Sequence, residues 1–93
     1  MITEQIKKRL VEKLSATHVQ VVDESQAHVG HMGAQMGGGH YFVTVVSEQF
    51  SEKNTINRQR LVYQALQEEM KQAVHALRME TYTSEEWKKR SPL

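Results

Sequence analysis

"YFVTVVS", residues 41–47, is aromatic or β-branched at every position but the last. Such side chains fit a pleated, half-buried surface, so this is the clearest strand in the chain. The segments beyond it follow from that reading. "EQFSEKNTINRQR", residues 48–60, is a polar connection that enters a helix. Val62, Ala65, Leu66, Met70 and Ala73 then recur at helical spacing and carry the helix to about residue 73. "VHALRMETYT", residues 74–83, reads as a further strand. Its alternation places His75, Leu77, Met79 and Thr81 on one face and Val74, Ala76, Arg78 and Glu80 on the other. A helix between two strands suits a parallel pair closed by a right-handed crossover.

Working backwards from residue 41, the chain passes through a loop of unusual composition. From Ser25 to Ser47 there is no Lys, Arg, Asp or Glu, and all five glycines lie here, with three of the five histidines, His28, His31 and His40. Before the loop, "HVQVVDES" alternates at Val19 and Val21 and reads as a short strand ending near Asp23. The loop joins it to the strand at 41–47, so these two are expected to be antiparallel. Residues 3 to 15 read as a helix: Ile6, Leu10 and Leu14 recur every four residues among mostly charged neighbours, with Thr3 as its expected N-cap. At the other end Thr83 and Glu86 have capping-box spacing, which opens a short final helix in "TSEEWKKR". The order is α-β-β-α-β-α. One small domain covers residues 1–90, and 91–93 form a frayed tail.

Composition narrows the function classes. The chain has 93 residues, of which 39% are hydrophobic and 25% charged, as in ordinary soluble domains. Twelve basic against eleven acidic residues leave a net charge of +1, no bulk electrostatic case for nucleic acid. No apolar run reads as a secretory signal or a membrane span, so the expected address is the cytoplasm. With no cysteine there is no disulfide framework and no thiolate ligand.

Several motifs compete. "HVGH" spaces His28 and His31 three apart, His40 follows nine later, and His75 lies on the last strand. Neutral imidazole binds zinc, copper, iron or nickel. Without a helix under the H-x-x-H, spacing alone favours scattered loop histidines and a hydrogen-bonded strand residue at His75. "MGGGHYF" lacks the Lys-Ser/Thr of a phosphate loop and leads into a strand, so no helix N-terminus faces an anion. Ser25 and Ser47 sit in no nucleophile-elbow pattern. Lys53, Arg58 and Arg60 form a local basic cluster that could touch phosphates, against which stands a solvated helix face.

Taken together, "DES" at 23–25, "HVGH" at 28–31, "GGHYFVTVVSEQF" at 38–50, "NRQRLVYQAL" at 57–66, "VHALRMETYT" at 74–83 and "EEW" at 85–87 resemble the BolA family over nearly the whole chain. The resemblance implies an α+β, class II KH-like domain with a three-stranded mixed sheet and helices packed on one side. It also implies a non-enzymatic partner of monothiol glutaredoxins of the CGFS type. The pair would hold a bridging 2Fe-2S cluster, shared with glutathione and absent from the isolated chain, in iron-sulfur trafficking or iron sensing. Histidine can replace cysteine on a cluster iron, as in Rieske centres. His75, in "VHAL", matches the family's most characteristic ligand. His31 best matches the second, with His28 and His40 in reserve.

Some family members are described instead as transcription regulators linked to stress and cell shape, which would make Lys53, Arg58 and Arg60 a DNA contact. Residues 50 to 60 hold no glycine, so the Gly-x-x-Gly loop by which KH domains grip nucleic acid is missing. Gln59 also stands where the family usually has histidine. DNA is therefore expected as a weak partner, with a homodimer allowed and no membrane contact. A third reading is copper or nickel binding by His28, His31, Met32 and Met36.

Overall fold

A computed structural model of the chain describes residues 2–25, 39–72 and 74–90. His28, His31, Met32, Met36 and the expected tail at 91–93 lie outside the described residues. Helix α1 spans Ile2–Leu14, strand β1 His18–Asp23 and strand β2 Gly39–Val46, followed by a 3-10 turn at Glu48–Phe50. Helices α2 (Thr55–Ala65) and α3 (Gln67–Gln72) lead to strand β3 (Val74–Tyr82) and helix α4 (Ser84–Arg90). The sheet order is β1-β2-β3, with β1 antiparallel and β3 parallel to β2, the mixed sheet expected from the crossover.

The four-residue spacing in α1 does what it promised: Ile6, Leu10 and Leu14 are buried against Val19, Tyr41, Val43 and Val45 of the sheet. Burying one such aliphatic side chain contributes about 2 kcal/mol. Thr3 lies inside α1, which begins at Ile2, so it is not the N-cap. The helix ends where Ser15 turns into the left-handed region (φ 52). Ser47 secures that end. Its hydroxyl donates to the Leu14 carbonyl at 2.6 Å and accepts the Gln49 amide at 3.0 Å, which starts the 3-10 turn. Phe50 in that turn is fully buried, so Phe50→Ala would cost about 3–5 kcal/mol.

The second helical stripe is realised as two helices. The chain departs from helical geometry at Leu66 (φ −107, ψ 19). Beyond that break Glu69 enters the interior, accepting from Gln5 Nε2 at 2.6 Å and Arg9 Nε at 3.1 Å on α1. Burial pushes the Glu69 carboxyl up, but these bonds outweigh it and hold the group below its ordinary value. Glu69 falls seven residues after Val62, on the buried face of the stripe, where its charge would not be expected without the polar partners Gln5 and Arg9, one turn apart on α1.

The final capping box forms as its spacing requires. The Thr83 amide donates to Glu86 Oε1 at 2.9 Å and the Glu86 amide to Thr83 Oγ1 at 3.2 Å. Helix α4 buries none of its residues and is held largely by polar contacts and by Trp87. The Trp87 ring lies 4.8 Å from His18 and 5.3 Å from Tyr82. Both of those residues pair with Val46, so Trp87 covers that end of the sheet face turned away from Val43 and Val45.

Candidate functional site

His75 is exposed, and its position depends on a break in strand register. Gly39 pairs with Val74 but His40 pairs with Ala76, so His75 is an extra residue in β3. A bulge of this kind re-aims side chains. Val74, not His75, enters the core, while Leu77 and Met79 pack against it from the same face further along. The simple alternation that put His75 with Leu77 and Met79 therefore fails at this one step.

The bulge brings His75 beside His40 of β2, with ring centroids 5.2 Å apart and planes inclined by 52°. His40 is fixed through its backbone. Its amide donates to Ser25 Oγ at 3.1 Å, and its carbonyl accepts the Glu24 amide at 2.7 Å. Ser25 is fixed in turn, its amide donating to Asp23 Oδ1 at 2.8 Å. Hydrogen bonds from the Ser25 hydroxyl and then its amide hold the Asp23 carboxyl below its ordinary value. The "DES" segment is thus a turn that seats His40. Tyr41, next in sequence, turns the other way into the core. Burial, then the nearby Asp23 charge, pushes its phenol up. Gly39 makes room for it: a Cβ there would lie 2.6 Å from the Tyr41 hydroxyl oxygen.

Two imidazoles on one tetrahedral metal have centroids about 5 Å apart, given metal–nitrogen bonds of about 2.1 Å. The observed 5.2 Å fits that requirement. Among the described residues no group of three or more His, Asp or Glu is arranged to hold a metal, so further ligands would have to come from elsewhere. One strand pair further along, Arg78 lies 4.5 Å over the Phe42 ring and makes a bidentate ion pair with Glu24 at 3.0 and 2.7 Å. This cation beside the histidines was not singled out from sequence. The cross-strand pairing of Phe42 with Arg78 that creates it is a register fact.

The basic cluster is divided in the fold. Arg58, only 13% exposed, makes a bidentate pair with Glu86 at 2.7 and 3.0 Å and donates to the carbonyls of Lys53 (2.9 Å) and Thr81 (3.4 Å). Lys53 and Arg60 are exposed, and Arg60 donates to Asn57 Oδ1 at 3.3 Å. Ser47, considered as a nucleophile, is fully buried and holds the end of α1.

A three-stranded mixed sheet with helices, carrying exposed His75 beside half-buried His40 at a bulge, defines a class of small α+β domain. The particular family follows from comparison: the BolA-like protein profile matches residues 10–86, and the chain belongs to the BolA family. It is 38% identical over 87 residues to the DNA-binding transcriptional regulator BolA of Escherichia coli (strain K12), covering 94% of this chain and 80% of that protein. It is 39% identical over 90 residues to Protein BOLA2 of Arabidopsis thaliana, covering 95% and 86%. The solution structure of BolA1 from Mus musculus superposes with a TM-score of 0.80 at 32% identity, covering 99% of this chain and 72% of that one. Among the described residues no helix is long and apolar enough to cross a membrane.

Proposed function

We propose that this chain is a non-enzymatic partner of a monothiol, CGFS-type glutaredoxin and supplies histidine ligands to a bridging 2Fe-2S cluster, in iron-sulfur trafficking or iron sensing in the cytoplasm. The observation that carries this reading is the His40–His75 pair, 5.2 Å apart on the outer sheet face with His75 exposed. His75 is the first ligand. The second is a histidine between β1 and the start of β2: His31 by resemblance, or His40, at the start of β2, by proximity, with His28 in reserve. A chain without cysteine cannot supply the thiolates of a common cluster, so the glutaredoxin cysteine and glutathione would complete it. The cluster itself supplies electron transfer and a transferable iron-sulfur unit. The protein's contribution is to fix the imidazoles and their surroundings.

The test is anaerobic reconstitution of the chain with a monothiol glutaredoxin, glutathione, iron and sulfide, read by visible circular dichroism and by electron paramagnetic resonance after reduction. His75→Ala should abolish the histidine-ligated spectrum, and comparing His31→Ala with His40→Ala should identify the second ligand. A wild-type spectrum from His75→Ala would refute the assignment.

The second reading, a DNA-binding transcriptional regulator of stress response and cell morphology, is favoured by the name of the Escherichia coli relative. It would use Lys53, Arg58 and Arg60. Arg58 is engaged by Glu86 and two carbonyls, which leaves few cations to neutralise phosphates and predicts a shallow salt dependence. Tight, sequence-selective binding at physiological salt would favour this reading.

A further inference from the structure

The sheet has two edges, and they differ. The β3 edge carries devices that discourage strand addition: the His75 bulge, and Arg58 Nη1 donating to the Thr81 carbonyl at 3.4 Å. The β1 edge, in "HVQVVD", has no bulge and no proline. Hydrogen-bond parity shows which of its groups are free to pair. The Ser47 amide bonds the Tyr82 carbonyl, so odd-numbered residues of β2 face β3 and even-numbered ones face β1. The Glu24 amide on the His40 carbonyl agrees. Even-numbered residues of β1 therefore bond β2, and the amides and carbonyls of Val19 and Val21 point outward. Among the described residues no hydrogen bond to them is made from outside the sheet.

A shallow groove between α1 and this edge is lined by Thr3, Glu4, Lys7, Val19, Gln20 and Val21. It continues past Lys7 and Val11 towards Ala16. Lys7 thus stands level with Val19, Glu4 level with Val21. Two of the exposed large apolar side chains, Val11 (44%) and Val22 (40%), belong to this helix–strand pair.

We infer that β1 is a self-pairing edge: two copies of the chain join by antiparallel β1–β1 pairing about a two-fold axis through Gln20. A two-fold contact must be self-complementary, and an antiparallel strand pair is. The outward parity admits axes at Val19, Gln20 or Val21, and charge decides among them. An axis at Val19 sets Lys7 against Lys7 of the second copy. An axis at Val21 sets Glu4 against Glu4 of the second copy, and the Asp23 it brings opposite Lys7 is already held by the Ser25 amide and hydroxyl. An axis at Gln20 pairs Val19 with Val21, two outward-bonding residues, and sets Lys7 beside Glu4 in both directions. It also lays exposed Val22 beside His18. The result is a continuous six-stranded sheet in which β3, with His75, lies at each outer end and stays accessible to a different partner.

The test is sedimentation equilibrium from low micromolar to millimolar concentration, with amide exchange followed by nuclear magnetic resonance. A reversible monomer–dimer equilibrium is expected, with the Val19 and Val21 amides gaining protection as concentration rises. Lys7→Glu turns two exposed ion pairs into repulsions and should weaken the dimer roughly tenfold. The double swap Glu4→Lys with Lys7→Glu should restore it. Both positions are exposed, and unchanged circular dichroism checks that the fold survives. A monomer at millimolar concentration overturns the inference. So does a dimer protected elsewhere, or one indifferent to Lys7→Glu.

Discussion

Replacing Glu86 by Gln removes a charge that serves two masters. One carboxylate oxygen caps the Thr83 amide, and both receive the Arg58 guanidinium. Hydrogen bonding from Arg58, and then from the Thr83 backbone, lowers the Glu86 carboxyl from its ordinary 4.5 to about 2. At about 1.4 kcal/mol per pH unit this sets an upper bound of roughly 3 kcal/mol. The Glu86 side chain is 45% exposed, so solvent screening brings the contribution to about 1.5 kcal/mol. Gln keeps an acceptor for the cap but not the charge for Arg58. The expected loss at neutral pH is therefore about 1.5 kcal/mol, or roughly 6–12 °C in Tm for a domain of this size. Because the folded value is depressed, the stabilisation is fully present above the unfolded value of 4.5. It disappears as pH falls towards about 2. Urea titrations followed by Trp87, the single tryptophan and itself on α4, measure both ends. Wild type and Glu86→Gln should differ at pH 7 and converge near pH 2. Equal stability at pH 7, or a gap that persists at pH 2, would refute the reasoning.

Three further outcomes follow from single positions. Glu52 sits at φ 64, where glycine is unstrained, so Glu52→Gly should raise the urea midpoint by the equivalent of about 1 kcal/mol. Gly39→Ala places a methyl against the buried Tyr41 ring; it should cost about 1–3 kcal/mol and shift the His40 and His75 ring resonances, read by denaturation and by nuclear magnetic resonance. His75→Ala should leave thermal stability within about 0.5 kcal/mol, because the side chain is exposed; a larger loss would mark His75 as a structural residue.

Arg58 shows why charge alone misleads. Its neighbours in sequence are Asn57, Gln59 and Arg60, a pattern that suggests a phosphate contact. Its spatial neighbours are Glu86, 28 residues away, and the edge of β3. Arg58→Ala should therefore loosen α4, and any change in DNA binding by that variant has to be compared with Glu86→Gln before it is ascribed to a lost phosphate contact.

Local pattern by itself determined the elements whose signals lie within a few residues. The β-branched run placed β2, the Val19–Val21 alternation placed β1, and Thr83 with Glu86 placed the start of α4, because side-chain period and capping geometry are set by neighbours along the chain. The parallel register of β3 on β2 was not legible in that way. It fixes the bulge that turns His75 outward, the 5.2 Å approach of His40, and Arg78 over Phe42. Glu69 is a similar case: its partners Gln5 and Arg9 lie 64 and 60 residues back along the chain. Such pairings join residues whose separation along the chain carries no periodic signal. They exist only once burial of the shared core has set the strands and helices at a definite offset, so the tertiary structure alone decided which histidines stand together.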